Sequence, residues 1–119
     1  MPQEHAVYPK ATPELSHQRK ALAPKQAEAF KAFSQSVFAA GALPPKVKQL
    51  IALAVAHVTQ CPYCIHAHTR GATEHGATPE EIMEAVWVAA EMRAGAAISH
   101  STLALDTLAQ MKEEKQLSP

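Results

Sequence analysis

From Pro44 to His68 the chain reads PPKVKQLIALAVAHVTQCPYCIHAH, and the reading of this stretch decides the fold. Two prolines open it. Proline suits a first helical turn, where its missing N–H would have no intrahelical partner. Every residue from Leu50 to Ala56 is apolar, on whichever face of a helix it falls, which marks the central helix of a domain or of an assembly. Thr59, Gln60 and Pro62 stop that helix. Another begins at Cys61 or Pro62 and runs to about His75, with Gly76 as its stop.

Working outward, Thr78-Pro79-Glu80-Glu81 is a helix start with a cap, a first-turn proline and Glu81 at the capping-box position. That helix continues through Met92. The small residues Ala94-Gly95-Ala96-Ala97 predict a break or a close helix crossing, followed by a sixth helix to about Glu114 and a frayed tail over 115–119. On the N-terminal side, residues 1–12 read as a polar arm ordered by a neighbour. Thr12 and Pro13 start a short helix ending near Leu22. The next helix runs from about Pro24 to Ala40. Ala23, Ala27, Phe30, Phe33 and Val37 recur along it at steps of three and four, which predicts a buried stripe, and Gly41 is a left-handed cap. The expectation is an all-α bundle of about six helices, a single domain over residues 1–119.

Composition agrees. Of 119 residues 47% are apolar and only 5% aromatic, alanine is abundant, and no stretch alternates with period two. Eleven Lys and Arg balance eleven Asp and Glu, so charge offers no case for nucleic acid or an anionic membrane as partner. No apolar stretch approaches the roughly 18 residues of a bilayer span. The N-terminus shows no basic start followed by an apolar segment, so the expected location is the cytoplasm.

Cys61 and Cys64 are the only cysteines, three residues apart at a helix start. A disulfide scaffold would have more, at wider spacing. With Pro62 in the first turn, Cys61 is the cap and Cys64 the third helical residue. Backbone N–H groups and the positive end of the helix dipole favour a thiolate there. At about 100° per residue, Cys61, Cys64 and His68 fall within about 60° of one another, whereas His66 points elsewhere. The pattern supplies a nucleophilic sulfur, a second sulfur to trap an oxidised first one, and a base. Three other readings stand beside it: inert buried cysteines; a zinc site of Cys61, Cys64, His68 and a fourth ligand such as His57; and a glutaredoxin- or thioredoxin-type domain, whose motif Cys61-Pro62-Tyr63-Cys64 resembles but whose alternating strands this sequence does not offer. Cap position favours Cys61 as the reactive thiol, and proximity to His68 favours Cys64.

The motif Cys61-x-x-Cys64-x-x-x-His68 and its surroundings resemble the carboxymuconolactone decarboxylase superfamily, and in particular its alkylhydroperoxidase-D-like branch. The surroundings are the lysine-rich Pro45–Lys48, the apolar helix, Gly76-Ala77-Thr78-Pro79-Glu80-Glu81-Ile82 and the alanine-rich helix after it. The likeness spans about Pro44 to Ala104. It implies a helical fold assembled as trimers or hexamers, and reduction of organic hydroperoxides without a cofactor or metal. Cys64 would be the peroxidatic thiol, Cys61 the partner that closes a disulfide, and an external dithiol the reductant. The family's proton relay also uses a glutamate twelve positions before the first cysteine. Here that position is Gln49, and an amide cannot accept the proton. Three accounts are open: activity is weak or lost, leaving a binding or sensing role; His68 suffices, helped by His57 or His66; or a carboxylate such as Glu84 or Glu91 fills in. Decarboxylase or lactone chemistry is the alternative within the superfamily, though that branch is not marked by a thiol pair.

Overall fold

The computed structural model describes residues 7–117, and among them the chain is all helix and loop. Five helices follow in order: α1 Pro13–Leu22, α2 Pro24–Phe38, α3 Pro45–Thr59, α4 Pro62–Glu74 and α5 Pro79–Leu117. Each starts on a proline, as its missing N–H permits. Thr12 caps α1, its hydroxyl accepting from the Leu15 N–H at 3.3 Å. Thr78 and Glu81 form the expected capping box at the start of α5, with reciprocal bonds of 3.1 and 2.9 Å. Glu81 also pairs with Lys46 of α3 at 2.8 Å, so the start of α5 is tied to the start of α3.

Helix α3 is the hub, packing against both α4 and α5. The buried residues are small or medium: Leu53 and Ala56 on α3, Ala72 on α4, Ala77 before α5 and Ala89 within it. Alanines at these contacts let the backbones approach closely. Gly76 ends α4 with φ of +90°, the left-handed conformation glycine adopts freely, and the adjacent Ala77 N–H closes on the Ala72 carbonyl at 2.9 Å.

Four expectations need correction. The small run Ala94–Ala97 does not break the chain: α5 is continuous over 39 residues, because alanine is the best helix former and one glycine costs only about 1 kcal/mol. Five helices therefore stand where about six were expected, and residues 115–117 continue the helix rather than fray. Helix α2 ends at Phe38, and Gly41 is not in the left-handed region. A lysine does the capping instead: the Lys48 ammonium donates to the carbonyls of Val37 at 2.8 Å and Ala39 at 2.6 Å. The α2 stripe is not buried within the chain, Phe30 and Phe33 being 69% and 62% exposed. The described part of the N-terminal arm also meets its own chain: the Tyr63 hydroxyl donates to the Pro9 carbonyl at 2.6 Å, and Tyr8 meets the Tyr63 ring edge-on. The first six residues of the arm and residues 118–119 of the tail lie outside the described residues.

The chain alone is elongated. Its radius of gyration is 21.5 Å and its longest extent 69 Å. A compact chain of this length would have a radius of roughly 13–14 Å. Ile98, Leu103, Leu105, Leu108 and Met111 on the far half of α5 are all exposed.

Candidate active site

Helices α3 and α4 are joined by Gln60 and Cys61 alone. Gln60 takes the left-handed conformation (φ 59°, ψ 48°) and its N–H closes on Ala56. The chain then reverses at once, and Cys61 is left extended as the cap of α4. Its Sγ accepts the Cys64 N–H at 3.3 Å, as a serine or aspartate oxygen would at such a position. Both thiols are free and half-buried.

The two thiols differ in acidity. The Cys64 thiol donates toward Cys61, and with the Cys64 and Tyr63 N–H groups this holds the Cys61 pKa below its ordinary value of 9.0. Cys64 moves the other way. The same hydrogen bond, then burial, then the charge forming on Cys61 push it above 9.0. The pair therefore loses its first proton at the cap.

His68, one turn beyond Cys64, is fixed on two sides. Its Nδ1 lies 2.8 Å from the Gln49 side-chain oxygen. An amide oxygen only accepts, so Nδ1 carries the proton and Nε2 is left with a lone pair. The ring stacks on Phe38 with centroids 5.2 Å apart and planes 22° from parallel. Burial lowers the His68 pKa below its usual 6.5, which keeps the imidazole neutral.

Cys64 and His68 both line a cavity of about 370 Å³. Its other walls are Val37, Phe38, Ile51, Ala52, Val55 and Ala56, with Lys48 and Thr59 at polar points. Cys61 is not among the lining residues, so one sulfur faces the cavity and the other serves the helix cap.

The structure thus brings Cys61, Cys64, His68 and Gln49 together, and leaves the other candidates apart. His57 Nδ1 is 2.8 Å from the carbonyl of Leu53 on its own helix, and His57 does not line the cavity. It does not join the thiols, and among the described residues no three His, Cys, Asp or Glu side chains converge on a common point for a metal. Glu84 and Glu91 are exposed on α5 and do not line the cavity, and His66 is exposed on α4. Three participants were not legible beforehand. Phe38 stands one residue past the α2 stripe, and its partner is set by how α2 lies on α3. Lys48 looks like a surface lysine in the sequence. Gly71, against which the Gln49 side chain lies, has no motif around it.

A family model for the carboxymuconolactone decarboxylase family matches residues 24–107, most of the chain and all of the site. The chain belongs to the carboxymuconolactone decarboxylase family. Uncharacterized protein 4 in the cox locus of Paracoccus denitrificans is 58% identical over 100 residues, spanning 84% of this chain and 89% of the relative. The crystal structure of a carboxymuconolactone decarboxylase family protein from Legionella pneumophila is 33% identical with a TM-score of 0.62, covering 82% of this chain and 86% of that one. A family member from Thermotoga maritima, described with a possible part in the antioxidative response, is 28% identical with a TM-score of 0.55, covering 78% and 96%. Likeness to these family members fits the all-helical architecture. No helix among the described residues is long and apolar enough to cross a membrane.

Proposed function

We propose that this family member is a dithiol peroxidase that reduces organic hydroperoxides through Cys64 and Cys61. The observation that carries the reading is that Cys64 and His68 line one apolar cavity while Cys61, the more acidic thiol, caps the same helix a turn away.

In the first step His68 Nε2 takes the Cys64 proton, and the thiolate attacks the terminal oxygen of the hydroperoxide. The O–O bond breaks, sulfur is oxidised to a sulfenic acid, and the alkoxide leaves with the proton from His68 as an alcohol. In the second step the Cys61 thiolate attacks the Cys64 sulfur. The S–S bond forms, and hydroxide leaves as water on taking a proton. A low pKa suits Cys61 to this second role, since it is a thiolate when the sulfenic acid appears. An external dithiol then reduces the disulfide by exchange. Gln49 takes no proton in this scheme; it holds the imidazole in the required tautomer. The possible antioxidative part of the Thermotoga relative points the same way.

The working form in this reading is a homo-oligomer, a trimer or hexamer, in the reducing cytoplasm. The elongated chain and the exposed Phe30, Phe33, Leu105 and Leu108 support assembly, because a monomer would leave this apolar surface in water. The test of the chemistry is dimedone trapping after hydroperoxide treatment of Cys61→Ser, where no second thiol can consume the sulfenic acid. Adduct on Cys64 is expected; an unmodified Cys64 overturns the reading.

A second reading rests on Gln49. Because an amide cannot relay a proton, the same dithiol could serve as a redox sensor that forms its disulfide without turnover. A steady-state assay with a dithiol reductant separates the two.

A further inference from the structure

Glycine in the middle of a helix costs about 1 kcal/mol relative to alanine. Gly71 lies inside α4, one turn beyond His68, and its φ is not positive, so backbone conformation does not call for glycine there. The space around it does. A Cβ built on Gly71 would lie 2.7 Å from the Gln49 Cδ and 3.2 Å from its Nε2, and would overlap its Oε1. That oxygen is the one 2.8 Å from His68 Nδ1. The side chain of Gln49, reaching from α3, therefore fills the volume a side chain at 71 would occupy.

We infer that Gly71 is a positioning residue: its missing Cβ makes the notch in α4 that seats the Gln49 amide against His68 and so sets the tautomer of the imidazole. The inference deepens the peroxidase reading and rests on it for its effect on rate. The effect on the imidazole is independent of any activity.

An alanine at 71 would force the amide out to ordinary van der Waals separation, roughly 3.5–4.0 Å from the new methyl. A displacement of about 1 Å is enough to take a 2.8 Å hydrogen bond past its useful range. His68 then loses the acceptor at Nδ1, and its proton is free to occupy Nε2. A base with that nitrogen protonated cannot take the Cys64 proton. The helix itself gains, since alanine is the better helix former.

The experiment compares wild type, Gly71→Ala, Gln49→Ala and the double variant by 15N NMR of the histidine side chains, with thermal melting and hydroperoxide consumption on the same samples. Wild-type His68 is expected as the Nδ1–H tautomer, and Gly71→Ala is expected to populate Nε2–H while its Tm stays equal or rises. Consumption should fall about tenfold or more, the order of a partly lost general base. In the Gln49→Ala background, adding Gly71→Ala should change neither tautomer nor rate, because the contested space is already empty. Should Gly71→Ala alone fail to fold, recovery of folding in the double variant supports the same contest for space, and no recovery overturns it. Retention of the wild-type tautomer in Gly71→Ala also overturns the inference, as does an equal loss of rate in both backgrounds. Absence of peroxide consumption in every protein would remove the peroxidase reading and leave the tautomer result standing.

Discussion

His68 Nδ1 and the Gln49 amide oxygen lie 2.8 Å apart, linking α4 to α3 at the wall of the cavity that Cys64 lines. The contact orients the imidazole without adding charge. Replacing Gln49 by glutamate keeps the shape and puts a carboxylate against the same N–H. The imidazolium is then stabilised, so the His68 pKa rises, and proton uptake from Cys64 becomes easier. Gln49→Glu is expected to preserve hydroperoxide consumption or raise it up to about tenfold, with the acid limb of its pH–rate profile moved to higher pH. Gln49→Ala is expected to lower it. Single-turnover rates across pH 5–9 measure both; an unchanged profile in Gln49→Glu would separate this contact from the chemistry.

The two thiols should titrate in a defined order. Cys61 is expected to alkylate at lower pH than an ordinary thiol and Cys64 at higher pH, because the bond between them favours the thiolate at the cap. Cys64→Ala removes the donor and should raise the Cys61 pKa. Cys61→Ser removes the neighbouring charge and should lower that of Cys64. Site-resolved iodoacetamide labelling against pH reads each shift. Cys64 alkylating ahead of Cys61 in the wild type would contradict the arrangement.

Acid should destabilise the fold in a particular window. Burial lowers the folded-state pKa of His68 below 6.5, so the unfolded chain binds its proton first as pH falls. Stability from this group is present above about pH 6.5 and is lost as pH drops toward the folded-state pKa. Glu81 acts lower. Chiefly through Lys46 and then the Thr78 N–H, its pKa lies below 4.5, so its contribution is present above that pH and is lost as the pH falls through the folded value. Urea midpoints at pH 7.5 and 5.5 isolate the histidine. The drop should be larger in wild type than in His68→Gln; equal drops would assign it elsewhere.

Much of this site could be read from residue order, because its parts are local. Cap, first-turn proline, third-position cysteine and a histidine four residues on all belong to one helix start, and spacing along a helix sets their geometry. The capping box Thr78–Glu81 was legible for the same reason. What spacing could not give is where one helix lies on another. The Phe38–His68 stack, the Lys48 cap on α2 and the Gly71 notch each join residues from different helices. The α5 break was misread because a run of small residues is compatible with both a crossing and a continuous helix. Periodicity in α2 predicted an apolar face correctly but not its partner, which the single chain does not supply.

That uncovered face carries its own prediction. If Phe30 and Phe33 are covered by further copies, a charge there should break the assembly without touching the thiols. Phe33→Glu is expected to lower the mass in solution toward that of one chain, as read by light scattering after size exclusion, while Cys61 still alkylates at low pH. An unchanged mass for Phe30→Glu with Phe33→Glu would place the contact elsewhere.

The most direct measurement is consumption of an organic hydroperoxide by the fully reduced protein, with no external reductant present. One dithiol can reduce one peroxide, so wild type should consume about one equivalent per chain and end as the Cys61–Cys64 disulfide. Cys64→Ser should consume none. Consumption by Cys64→Ser at the wild-type rate would contradict the account.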